Sequence, residues 1–279
     1  MRHRRSRTSD AAGDRDFTSA LVAVPSAPAI VLSPHLDDAV LSCWSVLTNT
    51  DEVLVVNVFA GIPATPTPSR WDALCGARDA REHARKRIEE DREALSMVGR
   101  SSINLSFVDL PYRRDDAQPS LAALDDALAR AVEATSVVYA PAAVGRIRRF
   151  GPTHPDHVLL RQYALGFPKS GIPVCLYADH PYCARHGWPA WISENPRRRW
   201  HWVDVGWRRQ LARIPELTDP TAAEVKALTP DQATHKLRAL ERYETQFREM
   251  KEAYPGVFAD PEIYGREVFW RIDPRESSP

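Results

Sequence analysis

At 279 residues, 43% of them hydrophobic, the chain has material for one sizeable α/β domain or two small ones and needs no disulfide staples to hold a core. Lysine plus arginine and aspartate plus glutamate stand at 37 each, so no net field draws the molecule to nucleic acid or to an anionic membrane. Four cysteines, Cys43, Cys75, Cys175 and Cys183, are scattered without a CxxC pair, the pattern of reduced thiols rather than of a disulfide framework.

Met1 to about Thr18 is polar, arginine-rich and aperiodic, which predicts a disordered tail (residues 1–18) ahead of a single folded domain over 19–279. The charged start has no apolar stretch behind it, and "LVAVPSAPAIVL" is too short and too broken by proline to span a bilayer. The expectation is a soluble, cytoplasmic protein with no membrane insertion.

From Ala29 the chain alternates short β-branched runs with amphipathic ones: "AIVLS", a helix over Asp38–Asn49, "EVLVVNVFA", a helix over Trp71–Val98, then "INLSFVDL". The rhythm continues with Ser120–Ala134, "SVVYA", His154–Gly166 and "PVCLYA". Strand then helix, repeated, predicts an α/β fold: a Rossmann-like, mostly parallel sheet with helices on both faces. The strands are near-continuously apolar, as strands covered on both faces are. After Asp179 the rhythm is lost, so residues 180–228 read as an irregular substrate-loop region and the C-terminal part as an extension of the sheet domain. One further helix is predicted over 229–250, with Thr229 as N-cap, Pro230 in the first turn and Gln232 completing a capping box.

In an open α/β sheet, ligands sit beyond the carboxyl ends of the strands. "PHLDD" lies there, with His35 and Asp38 three apart, close enough to reach one point if a helix begins between them. "GPTHPDHVLL" occupies a second such junction, with His154 and His157 also three apart. Either motif alone is more simply a capped helix N-terminus. Together they predict a divalent metal, one per chain, on His35, Asp38 and His157. Asp37 is then a general base, and His154 faces the developing oxyanion. The cation would make two adjacent buried carboxylates tolerable.

These motifs resemble the PIG-L/LmbE-like zinc-dependent de-N-acetylases, which carry a PHxDD-type motif after the first strand and an HPDH motif later. The likeness covers most of the chain: "IVLSPHLDDAVLS"; "RKRIEEDREALSMVG", with Arg87 and Glu90 near the family's R-x-x-E; "THPDHV"; "YADHPY"; and "KLRALERYETQ". The resemblance implies Zn2+ on His35, Asp38 and His157, Asp37 as base, and His154 polarising the acetyl carbonyl. It adds Arg87 as a substrate contact and, as substrate, a small acetylated amino sugar or glycoconjugate. Leu36, Ala39 and the Cys43–Trp44 pair depart from the family pattern without removing a reacting side chain.

Other signals are weaker. "YADHPY" suggests a pocket wall in which Tyr177, Asp179 or Tyr182 touches substrate hydroxyls. Arg146, Arg148 and Arg149 lie in the loop that delivers His154, where a guanidinium fork would receive an anionic part of the substrate. His180, Cys183 and His186 have ligand-like spacing but no regular element to hold them. Two alternatives remain open: a non-haem iron oxygenase using His35, Asp37 and His157, and a sugar-binding relative without the reaction. A homo-oligomer is also left open.

Overall fold

The computed structural model describes residues 29–48, 52–113, 118–132, 135–145, 154–193 and 201–274. The predicted tail lies outside them, as do Arg146, Arg148 and Arg149. Seven strands form one sheet: β1 (Ala29–Ser33), β2 (Val53–Asn57), β3 (Ser102–Asn104), β4 (Val137–Pro141), β5 (Val174–Tyr177), β6 (Glu224–Ala227) and β7 (Arg266–Ile272). Their spatial order is β3-β2-β1-β4-β5-β7-β6. The first five pair in parallel, as their apolar runs predict, and β1 is buried along its whole length. The strand order reverses between β1 and β4, which creates the crevice that the two histidine motifs border.

The helices differ from the sequence expectation at their joints. The predicted Asp38–Asn49 helix is two pieces, α1 (Asp38–Ser42) and α2 (Trp44–Leu47), broken at Cys43. The cause is remote in sequence. Glu267, on β7, accepts the backbone N–H of Trp44 at 2.7 Å and of Ser45 at 2.8 Å, so both amides leave the helical ladder. The predicted Trp71–Val98 helix divides likewise into α3 (Arg70–Leu74) and α4 (Ala80–Ser96), each with its own cap, Ser69 and Asp79. α5 (Leu121–Val132) and α6 (Pro155–Ala164) follow, and α6 packs on β4.

The C-terminal part is more regular than expected. The supposed irregular region holds α7 (His201–Leu211) and β6, and the extension contributes β7, antiparallel to both β5 and β6. α8 (Pro230–Leu240) has the predicted capping box, with Thr229 Oγ1 accepting from Gln232 N at 3.2 Å and Gln232 Oε1 from Thr229 N at 2.9 Å. It stops short of Met250 because the chain turns back onto α4: Tyr243 donates to Asp91 at 2.8 Å, and Thr245 donates through N–H and hydroxyl to Glu90 at 3.1 and 2.6 Å. A shorter helix, α9 (Phe247–Ala253), follows. Among the described residues no helix is long and apolar enough to cross a membrane.

α8 is tied to the sheet by a buried ion pair, Lys236 Nζ to Glu267 Oε1 at 2.8 Å, and Lys236 also donates to Tyr264 O at 3.1 Å. Burial pushes the Glu267 carboxyl up, but Lys236 and Ser45 hold it net below the usual range. Removing one partner leaves an uncompensated buried charge. Lys236→Met is therefore expected to cost about 3–5 kcal/mol, read from denaturant unfolding.

Candidate metal centre and active site

Every residue of the site follows the carboxyl end of a strand. His35, Asp37 and Asp38 follow β1; Asp109 lies beyond β3; His154, Asp156 and His157 open α6 after β4; Asp179 lies two residues past β5. Local hydrogen bonds shape the first turn. Ser33 Oγ donates to His35 O at 2.6 Å and accepts from Ala39 N at 3.0 Å, while Asp38 Oδ2 accepts the His35 N–H at 2.9 Å.

Asp38 Oδ2 stands between two rings, 3.2 Å from His35 Nδ1 and 3.4 Å from His157 Nε2. Ligands at 2.0–2.1 Å from a tetrahedral ion are about 3.3 Å apart, so each of these two contacts has the spacing of a ligand pair. His157 supplies a second sign: its Nδ1 is 2.7 Å from Asp179 Oδ1, while its Nε2 is buried without a hydrogen bond. A histidine oriented at one nitrogen by a carboxylate and open at the other is the usual arrangement of a metal ligand. His154 joins the group, with ring nitrogens of His35, His154 and His157 all within 4.8 Å of one another.

The consecutive carboxylates differ in surroundings. Asp38 is 2% exposed and Asp37 8%. Burial pushes Asp38 up, but the charges of His157 and His35 hold it net below the usual carboxylate range. Asp37 takes no side-chain hydrogen bond in capping α1, and burial with the neighbouring Asp38 charge raises it, against Arg87. Burial would lower both His35 and His157, but neighbouring carboxylates raise them, Asp109 foremost for His35 and Asp38 for His157. His154 moves the other way, down to about 4, through burial and the positive His35.

The structure brings together His35, Asp37, Asp38, His154 and His157. It pairs His35 and His157 with Asp38 rather than Asp37, unlike the ligand set an iron oxygenase would need. Arg87 is half-buried beside a small crevice lined by Leu36, Phe59, Asp72, Asp109 and Tyr112. Tyr182 keeps a partly exposed ring, set edge-on to His157 at 5.7 Å.

Two expected wall residues are corrected. Tyr177 is fully buried with its hydroxyl donated to Leu32 O at 2.9 Å. Asp179, equally buried, is committed to His157 and to Val144 N at 3.0 Å. Both support the site from beneath. Sequence reasoning missed Asp109, whose Oδ1 is 3.4 Å from His35 Nε2 and 3.8 Å from His154 Nε2. Its one signal was its place after a strand, in "FVDLPYRR".

The fold and this cluster define an α/β enzyme of the metal-dependent amidohydrolase kind. Residues 30–166 match the PIG-L family model, described as GlcNAc-PI de-N-acetylase. The chain is similar to the 2'-N-acetylparomamine deacetylase of Niallia circulans, at 25% identity over 185 residues, 56% of this chain and 67% of that one. A deacetylase of the teicoplanin biosynthetic pathway, solved as a triple mutant, superposes with a TM-score of 0.62 at 26% identity, covering 89% of this chain and 99% of that one. An A40926 pseudoaglycone deacetylase gives 0.57 at 25% identity, over 91% and 100% of the two chains.

Because the Tyr177 hydroxyl faces the sheet, Tyr177→Phe is expected to leave KM unchanged and to lower stability by about 1 kcal/mol. Steady-state kinetics and denaturant unfolding of the one variant check both halves.

Proposed function

We propose that the chain is a zinc-dependent de-N-acetylase that hydrolyses the acetamide of an N-acetylated amino sugar carried on a larger glycoside, in the cytoplasm. The observation that carries the reading is the split between neighbours: Asp38 is committed to two histidines while the Asp37 side chain makes no capping bond to α1. Two carboxylates with separate surroundings can divide ligation from proton transfer. The named relatives, a 2'-N-acetylparomamine deacetylase, a deacetylase of the teicoplanin biosynthetic pathway and an A40926 pseudoaglycone deacetylase, support the substrate class.

Zinc held by His35, Asp38 and His157 would supply a Lewis acid for the acetyl carbonyl and lower the pKa of water towards about 7. Asp37 takes the proton of the attacking water as the new C–O bond forms. When the C–N bond breaks, Asp37 passes that proton to the leaving amine and acetate is released. Its raised proton affinity suits both halves of that task. His154 acts as a neutral donor. Its Nδ1 accepts the Asp156 N–H at 3.4 Å, which leaves the proton on Nε2, directed to the side where negative charge develops on oxygen. Arg87 and Asp109, on the crevice wall, offer a donor and an acceptor to sugar hydroxyls.

Acetate release across a panel of acetylated amino sugars and glycoconjugates, with metal content measured on the same samples, tests the reading. Asp38→Ala is expected to lose metal. Asp37→Asn should keep metal and substrate binding while turnover falls by about 10²–10⁴. His154→Ala should lose on the order of 10²–10³. A fully active Asp37→Asn would remove the general-base step, and a metal-free Asp37→Asn beside a loaded Asp38→Ala would reverse the pair.

A further inference from the structure

The His35 ring has two faces of ligand-type groups. Nδ1 looks towards Asp38 and His157, as described above. Nε2 looks towards Asp156 Oδ2 at 3.3 Å and Asp109 Oδ1 at 3.4 Å, and His35, Asp109, His154 and Asp156 offer donor atoms all within 4.8 Å of one another. A rotation of the ring about its Cβ–Cγ bond would change which group it serves. Something must therefore fix the ring, and Asp156 is the group placed to do so.

Asp156 is fully buried, and its two oxygens have separate tasks. Oδ2 faces His35 Nε2 and accepts the Leu110 N–H at 3.3 Å. Oδ1 is 2.6 Å from Arg113 Nη2. The Arg113 side chain is 5% exposed and meets three partners at once: Asp156 through Nη2, Val108 O through Nε at 2.9 Å, and the Phe59 ring, with the guanidinium carbon 4.5 Å from its centroid. A planar fork that is always charged can hold all three, and an ammonium cannot. The positive charge beside Asp156 also disfavours a cation on the Nε2 side of His35.

We propose that Arg113 is a positioning residue of the metal centre. By pairing with Asp156 it fixes His35 with Nδ1 towards Asp38 and His157, and it holds the 108–112 turn, which carries Asp109, against the same site. The inference rests on the deacetylase reading only for the identity of the metal ligands. Carboxylates that orient a ligating histidine are worth about 10–100-fold in metal affinity, and here the carboxylate is itself held by Arg113.

The test is zinc affinity of the full chain, read by competition with a chromogenic chelator, for Arg113→Gln, Arg113→Lys and the double variant Arg113→Gln/Asp156→Asn, with melting followed in parallel. Arg113→Gln is expected to bind zinc about 10–100-fold more weakly. Arg113→Lys should recover part of the loss, since it keeps a charge opposite Asp156 but gives up the bond to Val108. The double variant leaves no buried charge unpaired, so it should fold and still bind weakly. Wild-type zinc affinity in Arg113→Gln or in the double variant would overturn the proposal. Failure of the double variant to fold would overturn it equally, because the fold and not the site would then need Arg113. Zinc binding is measured without substrate, so a chain that depends on Arg113 for zinc yet releases no acetate would sink the deacetylase reading alone.

Discussion

Two acidic residues in succession, both more than nine-tenths buried at the mouth of a sheet, set the terms for everything around them. Isolated, each would lose its charge, since desolvation of an ionised carboxylate is far costlier than protonation. The surroundings supply compensation from separate parts of the chain: His35 from the same turn, His157 from the start of α6, Arg87 from α4. His35 acts on both carboxylates, but His157 acts foremost on Asp38 and Arg87 on Asp37. Asp38 is held below the usual carboxylate range between two imidazoles while Asp37 keeps a higher proton affinity, so one dipeptide holds two carboxylates of different character.

The compensating groups are themselves compensated. Asp179 steadies His157, Asp156 faces His35, and Arg113 answers Asp156, so charge alternates outward through four contacts of 2.6–3.3 Å. Such a chain is stable only if each member is paired, because a half-satisfied polar network in a low-dielectric interior is worse than none. Its geometry depends on the switch point of the sheet, which brings the ends of β1 and β4 side by side.

How much of this was legible in the sequence follows from the range of each interaction. His35 with Asp38, and His154 with His157, are spaced for a shared target, and the strand-then-helix rhythm placed both motifs at one edge. The first five strands were readable for the same reason: parallel strands covered on both faces are continuous apolar runs. What escaped was long-range. Arg113 and Asp156 are 43 positions apart, and neither residue type in isolation announces a partner. The "YADHPY" run suggests a pocket wall touching substrate hydroxyls, yet Tyr177 and Asp179 point under the site. β7 was missed although "REVFWRI" is rich in β-formers, because its partners lie on either side of it from different parts of the chain and no helix precedes it in the alternating pattern. The breaks at Cys43 and after Leu240 were set by Glu267, Glu90 and Asp91, none of them near in sequence.

The position of β7 bears on the order in which the molecule can be built. Its residues, 266–272, emerge during synthesis after those of the other six strands, yet they fill an interior slot of the sheet, and among the described strands β6 pairs only with β7. Until they arrive, β5 presents an open edge and the amides of Trp44 and Ser45, next to the turn that carries Asp37 and Asp38, lack the carboxylate that draws them out of the helix. The helix that follows the His35–Asp38 turn is thus set by a glutamate 222 residues beyond Ser45, and a nascent chain cut short before Glu267 would present both histidine motifs without the frame that aligns them.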